Sequence, residues 1–249
     1  MKYVTFNIRY DCGHDGINNF EYRKDFIVQV IRERQPDIIG FQEVLPHVAA
    51  WLKESLQGYS IVGCGRGEHL DGEQVCIAYR TSRMNLMDFR TIWLSPTPYL
   101  PGSRYPDQSD CPRTASIALF HDLQENRVFR VINTHLDHVG QKSRLLALQQ
   151  ILSVLRETAF FPDAPVILAG DFNCVPESDE MQYLKEHPEF VNLTEGIGNT
   201  YHGFMHDLPE PIDYIFLRGD LTCRSIEKWQ HVHSGVYLSD HYPIEAELV

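Results

Sequence analysis

The sequence predicts an α+β domain in which two mainly antiparallel sheets pack face to face with helices outside. Three observations lead there. Strand-like runs far outnumber helical ones, several of these runs pair across short polar turns, and no repeat, low-complexity tract or linker divides the 249 residues. Size and composition agree. A chain near this length buries roughly 70–75% of its unfolded surface, and 43% apolar residues with a mean hydropathy of −0.29 is ordinary for a globular protein. One domain over residues 1–249 is expected.

Tyr3 to Arg9 alternates as a strand and leaves Asn7 near its end. After a polar loop from Asp11 to Asn19, Phe26, Ile27, Val30 and Ile31 recur at helical spacing, giving a helix over 22–34 that Pro36 ends. Asp37 to Glu43 is an apolar strand finishing on Gln42-Glu43. A short helix over 46–56 carries Val48, Trp51, Leu52 and Leu56. Strands follow at Tyr59–Cys64, Gln74–Tyr79 and Leu86–Leu94, with the Gly- and charge-rich Arg66–Glu73 as a hairpin loop. Ser95 to Pro112 holds five prolines, at 96, 98, 101, 106 and 112, and reads as a long surface loop.

Arg113–Leu123 and Arg127–Leu136 pair about a turn at Glu125-Asn126. The clearest helix spans 141–157, with Leu145, Leu148, Leu152 and Leu155 on one stripe and Lys142, Gln149, Gln150 and Arg156 opposite. Val166 to Ala169 is a continuous apolar run, as in a strand buried on both faces. Gly170 then permits close backbone approach, and Asp171 and Asn173, two positions apart, point to one side. The same residues also fit a strand running into an Asx-rich turn. A short helix near 178–186, a polar loop to Pro211, and strands at Asp213–Leu217, Ser225–His231 and Tyr242–Leu248 follow.

A formal net charge of −12, from 34 acidic against 22 basic residues, opposes broad capture of a polyanion. Stable duplex DNA binding is therefore not expected. A small anionic substrate or a short single strand can still enter if a divalent cation and a few arginines invert the local field. The rim loops Arg66–Glu73, Pro96–Pro112 and Glu195–Pro211 are mixed or acidic, with Tyr99, Tyr105, Tyr201 and Phe204 as candidate stacking platforms. Six cysteines (12, 64, 76, 111, 174 and 223) form no C-x-x-C pair and read as free thiols of a reducing compartment. The N-terminus enters a strand directly and no stretch reaches 18 apolar residues, so no membrane span and a cytoplasmic location are expected.

Polar residues gather where strands end: Asn7, Glu43, His135, Asp171 with Asn173, Asp213, and Asp240-His241. Singly, each has an ordinary reading. Asn7 suits a strand end, Glu43 a helix N-terminus, His135 a satisfied core position, and Asp213 and Asp240 turns. Together, four carboxylates, two amides and two imidazoles from six segments suit one site. The set is rich in oxygen and poor in thiolate, which favours magnesium or manganese over zinc. Such an ion clamps phosphate oxygens while a separate carboxylate activates water and imidazoles donate to the developing charge.

The motifs Thr5-Phe6-Asn7, Gln42-Glu43, Asn133-Thr134-His135-Leu136, Gly170-Asp171-Phe172-Asn173, Ile212-Asp213-Tyr214-Ile215 and Ser239-Asp240-His241-Tyr242-Pro243 together resemble the endonuclease/exonuclease/phosphatase superfamily, in that family's order. The resemblance implies a four-layer αββα sandwich of deoxyribonuclease I-like fold and a magnesium- or manganese-dependent attack on a phosphoester. It implies Glu43 as principal metal ligand with Asn7 and Asp240 near the metal. Asp171 would orient or deprotonate the water, Asn173 would hold the reacting group, and His135 and His241 would contact phosphoryl oxygens, with Asp213 fixing the His241 ring. Asp15-Gly16-Ile17-Asn18, Phe20, Arg23, Trp93-Leu94-Ser95-Pro96-Thr97-Pro98 and Arg113-Thr114-Ala115 resemble a bacterial branch nearer the deadenylase and nocturnin side, where Arg113 would reach the substrate phosphate. Phe20 and Tyr105 stand where that branch has tryptophan, and Pro211 where it commonly has arginine.

Two rival readings make different demands. Asn133-Thr134-His135-Leu136-Asp137-His138 shadows the H-x-H-x-D-H motif of dinuclear zinc hydrolases of the metallo-β-lactamase kind, with asparagine in place of the first imidazole. A protein that keeps the fold and binds a phosphate ligand without hydrolysis would leave the filled acid and base positions without work.

Overall fold

The structure is a computed structural model that describes residues 1–158 and 160–249. In chain order the elements are β1 (Lys2–Asn7), α1 (Phe20–Arg34), β2 (Ile38–Val44), α2 (Pro46–Ser55), β3 (Tyr59–Val62), β4 (Gln74–Arg80), β5 (Met84–Trp93), β6 (Thr114–Asp122), β7 (Arg127–His135), α3 (Gln141–Glu157), β8 (Val166–Asp171), α4 (Asp179–Lys185), β9 (Val191–Asn192), β10 (Asp213–Arg218), β11 (Cys223–Lys228), β12 (Val232–His233), β13 (Val236–Tyr237) and β14 (Ile244–Leu248). One six-stranded sheet runs β11-β14-β1-β2-β4-β3 and the other β5-β6-β7-β8-β10-β9. The neighbours β1–β2 and β7–β8 are parallel and every other pair within the two sheets is antiparallel. No helix among the described residues is long and apolar enough to cross a membrane, and all six cysteines are free.

Three apolar clusters build the four-layer αββα sandwich. Val4, Phe6, Ile39 and Phe41 pack under Ile27, Ile31, Val48 and Leu52 of α1 and α2. Ile132, Leu168 and Phe216 pack under Leu148, Ile151 and Leu155 of α3 and Leu184 of α4. Tyr3, Ile38, Val131, Ile167, Ala169 and Ile215 meet between the sheets. Because side chains alternate along a strand, each inner strand has an inter-sheet column: Tyr3-Thr5-Asn7, Val131-Asn133-His135, Ile167-Ala169-Asp171, and Leu217-Ile215-Asp213. These columns are apolar at one end and polar at the other, and the two parallel pairs place their polar ends side by side.

Below that polar end a buried amide pair joins the sheets. Asn133 of β7 donates through Nδ2 to the carbonyls of Phe41 (2.8 Å) and Cys76 (3.0 Å), while its Oδ1 accepts from Gln42 Nε2 at 2.6 Å. Gly40 makes room for it, since a Cβ there would lie 2.8 Å from Asn133 Cγ. Gly170 has φ +145°, and an added Cβ would overlap the Thr134 carbonyl oxygen of β7. Gly170→Ala is therefore expected to cost about 2 kcal/mol or more, read as a lower urea midpoint, because neither backbone can retreat without breaking the β7–β8 ladder.

The structure also corrects the sequence reading in places. The helix expected from residue 22 begins at Phe20, and its buried face is Phe20, Arg23, Ile27, Val30 and Ile31, with Phe26 half-buried. On α3, Leu145 is half-buried and the core positions are Ala147, Leu148, Ile151, Leu152 and Leu155. Gln150, expected on the solvent face, donates to the Trp93 carbonyl (3.0 Å) and accepts from Ser95 N (3.1 Å) and the Tyr105 hydroxyl (3.1 Å), pinning the proline-rich loop. The strand expected over 225–231 stops at Lys228, and the β12–β13 hairpin and β9 had no readable alternation because each has two residues.

Candidate active site

The polar ends of four columns converge with three loop residues, Asn173, Asp240 and His241, and one side chain from a bulge. Asn7 sits at the centre. Its Nδ2 donates to Glu43 Oε1 (3.0 Å) and Asp171 Oδ2 (3.0 Å) and lies 3.4 Å from His241 Nε2, while its Oδ1 accepts from Arg9 N (3.0 Å). Glu43 reaches inward because the β2–β4 register shifts between Phe41 and Val44 and its φ is +63°. Its Oε2 accepts from Tyr10 N at 2.8 Å. Arg9 (φ +60°) and Asn173 (φ +49°) also hold left-handed backbone, so strain of about 1 kcal/mol per residue gathers round the site.

Asp171 and Asp213 are direct cross-strand partners of β8 and β10. Like charges so placed repel, and His241 bridges them, its Nδ1 2.8 Å from Asp213 Oδ2 and its Nε2 3.8 Å from Asp171 Oδ2. His135 Nε2 lies 3.5 Å from the same Asp171 oxygen. Asn173 N donates to Asp171 Oδ1 (2.9 Å), and its side-chain Nδ2 donates to the Leu136 carbonyl (3.0 Å). Asp240 accepts from the Ser239 hydroxyl (3.0 Å) and stands 3.6 Å from Arg9 Nε, while its carbonyl accepts from His202 N and Gly203 N.

Burial and charge set the two imidazoles apart. Burial, with Asp213 adding repulsion, pushes the Asp171 carboxyl up to about 7. Burial alone would strip His241 of its proton, yet Asp213, Asp171 and Asp240 together outweigh it and raise the ring to about 10. His135 is held well below the ordinary imidazole range by burial and by Arg113. Asp240 is raised by burial and by Glu43, against His241. The site thus pairs a cationic ring with a neutral one amid acids that lack enough positive charge.

Glu43, His135 and Asp171 each bring one ligand atom within 4.8 Å of the others, as do Asp171, Asp213 and His241. Each set joins two carboxylates to one imidazole, and Asp171, common to both, has a raised affinity for a proton; such an oxygen-rich donor set is one a hard divalent cation fits.

Arg113 is buried, with Nε 3.4 Å from Asp137 Oδ1 and Nη2 2.9 Å from His138 Nδ1, and its Nη1 has no partner among the described residues. It lines a narrow recess with Glu43, Arg66, Glu73 and His135. The zinc alternative does not match this geometry. Asn133 is locked between the sheets, Asp137 accepts from Ser109 N, Val139 N and Gly140 N, and His138 is half exposed against Arg113, so His135 is the one residue of that segment in the site. Among the candidate platforms, Tyr105 spends its hydroxyl on Gln150 and the Tyr201 ring packs 4.9 Å from His241, whereas Tyr99 is exposed.

Two arginines belong here to which the motifs gave no role, Arg9, which stood outside them, and Arg23, which stood among them. Arg9 faces both Asp15 oxygens (3.2 and 3.1 Å) and Asp240; its adjacency to Asn7 was the signal available. Arg23 is fully buried, and its guanidinium donates to four carbonyls, of Asn18 (2.6 Å), Ile8 (2.8 Å), Leu238 (2.7 Å) and Arg9 (3.2 Å). The rings of Phe20 and Phe204 lie 5.8 Å from its centre.

A face-to-face pair of sheets, helix-clad outside and closed at one end by acids, amides and imidazoles, defines a hydrolase-like scaffold. The family model described as Endonuclease/Exonuclease/phosphatase family matches residues 4–241, and the chain belongs to that family. The crystal structure of the endonuclease/exonuclease/phosphatase from Bacteroides vulgatus is 32% identical, with a TM-score of 0.93, over 100% of this chain and 98% of that one. The mannosyl-6-phosphatase of Bacteroides thetaiotaomicron is 26% identical, with a TM-score of 0.89, over 100% of this chain and 99% of that one. An uncharacterized protein of Acanthamoeba polyphaga mimivirus is 28% identical over 192 residues, 70% of this chain and 67% of the viral protein.

Proposed function

We propose that this protein is a divalent-metal-dependent phosphoesterase that hydrolyses a small phosphomonoester or phosphodiester, its 249 residues acting as one domain. The observation that carries this reading is the meeting of Asn7, Glu43, His135, Asp171 and His241 within direct hydrogen-bond or ion-pair reach at one rim. Family membership and the likeness to a mannosyl-6-phosphatase support it.

Glu43, Asn7 and Asp240 would hold a magnesium or manganese ion, which when bound supplies positive charge to the phosphoryl oxygens. The protein's own groups do the remainder. Asp171, aimed by Asn173 N and Asn7 Nδ2, is the carboxylate placed to orient and deprotonate water. Asn173, whose amide nitrogen grips the Leu136 carbonyl, fixes the loop that holds the reacting group. His241, held by Asp213, and His135 point Nε2 towards the Asp171 oxygen, where each can also meet a phosphoryl oxygen. Arg113 offers its unpartnered Nη1 to the phosphate.

The test is a screen of phosphomonoesters, phosphodiesters, cyclic phosphates and short oligonucleotides with added magnesium or manganese. Glu43→Ala and excess chelator serve as blanks. At least one small ester is expected to turn over, with activity abolished by chelator, restored by metal, and lowered about 10²-fold or more in the variant. Turnover that survives both blanks defeats the reading. Comparable rates on plasmid DNA and on the best small ester defeat the preference for small substrates.

A further inference from the structure

The outer edge of β10 changes partner along its length. β9 pairs with it at Phe216 and Leu217, and Leu193 N donates to the Ile215 carbonyl at 2.9 Å. Nearer the site no strand among the described residues flanks that edge, yet Ile212 and Asp213 are buried and their N–H groups need an acceptor. One side chain supplies it. The hydroxyl of fully buried Thr200 accepts from Ile212 N and Asp213 N, at 3.1 Å each, and donates to the Glu210 carbonyl at 3.4 Å. Its one donor and two acceptor places are thereby filled. The Thr200 carbonyl accepts from Tyr242 N at 2.8 Å, and the Thr200 N–H donates to the Glu210 carbonyl at 2.9 Å. A single residue thus holds main chain on both sides of the Asp213–His241 pair, residues 212 and 213 through its hydroxyl and residue 242 through its carbonyl.

We propose that Thr200 is a positioning residue for the reaction: it sets the approach of Asp213 to His241 Nδ1, and through that contact the direction in which Nε2 points. The inference rests on the phosphoesterase reading and goes beyond it by naming a residue that touches neither substrate nor metal. The Asp213–His241 contact is 2.8 Å. Asp171, the cross-strand partner of Asp213, repels its carboxylate, so an anchored main chain is what resists its retreat. A small shift there swings the far nitrogen of the ring off the phosphoryl oxygen it has to meet, and misplacement of a reacting group is costly in rate. The same segment continues the grip. Tyr201 lays its ring 4.9 Å from that of His241, and His202 N and Gly203 N donate to the Asp240 carbonyl at 2.9 and 3.2 Å. Those last contacts are made by main chain and ring faces, so the Thr200 hydroxyl can be removed without touching them.

The experiment measures kcat and KM on the best ester from the metal-supplemented screen. It uses the wild type, Thr200→Val, Thr200→Ser, Asp213→Asn and the double variant carrying Thr200→Val and Asp213→Asn. Valine keeps the shape and loses the acceptor, whereas serine keeps the acceptor. Thr200→Val is expected to lower kcat about 10–100-fold with KM within about threefold, and Thr200→Ser to bring kcat back to within about fivefold of wild type. Because Thr200 acts through Asp213, the valine is expected to lower the kcat of Asp213→Asn by less than about threefold. Near-ultraviolet circular dichroism checks the fold, and if Thr200→Val does not fold, Thr200→Cys, with a weaker acceptor of similar size, is read in its place. A valine variant within about threefold of wild-type kcat, a serine variant as slow as the valine, or an equal loss in the Asp213→Asn background overturns this inference and leaves the phosphoesterase reading standing. Turnover of no ester by the wild type overturns that reading, and this inference with it.

Discussion

Asp171→Asn is expected to lower kcat by about 10²–10⁴-fold, with near-ultraviolet circular dichroism and thermal midpoint little changed. The amide has the carboxylate's shape and keeps an oxygen for Asn173 N, so the column Ile167-Ala169-Asp171 stays packed. What goes is the one carboxylate that Asn7, His135 and His241 all face. Steady-state kinetics on the best ester from the metal-supplemented screen measures it. A variant within threefold of wild type would mean that Asp171 does not handle the proton. The site's repulsion between Asp171 and Asp213 makes the result sharper, since relieving it opposes any claim that activity fell through unfolding.

Arg23→Met is expected to cost about 3 kcal/mol or more of stability and to weaken metal binding as well. Four carbonyls lose their donors at once: two follow Asn7, one precedes Ser239-Asp240, and one belongs to the turn at Asn18. Methionine fills much of the volume but donates nothing. Arg23→Lys, which retains a charge and three donors, is expected to recover part of the loss. Urea titration reads the stability, and Mn²⁺ titration followed by electron paramagnetic resonance reads the site independently of turnover. If Arg23→Met binds manganese as wild type does while melting earlier, its role stops at holding the fold.

How far the sequence could be read follows from the range of each interaction. The terminal residue of an inter-sheet column is visible locally, because a period of two ties Asp171 to Ile167 and Ala169 along five residues of chain. Four such endings, together with Glu43 at a bulge and Asp240-His241 in a loop, stand in a family's order, and the structure brings Asn7, Glu43, His135, Asp171, Asp213 and His241 into one network. Arg23 could not be read this way. Its partner Leu238 is 215 residues distant and offers a main-chain carbonyl, which every residue possesses. The same holds for Asn133, whose place in a motif suggested chemistry and whose contacts turn out to be a girder between sheets. Helical spacing put Gln150 towards solvent because the proline-rich loop that covers it has no period of its own.

The strand order has a bearing on synthesis at the ribosome. β1 lies between β14 and β2, so the opening strand's outer hydrogen bonds wait for residues 244–248, and the imidazole–carboxylate pair at 240–241 emerges just before them. Until those residues join it, β1 has an unpaired edge, the kind of edge that invites intermolecular pairing. The strand order also means that Asp240 and His241 join Asn7 and Asp171 at the rim only as that first sheet closes.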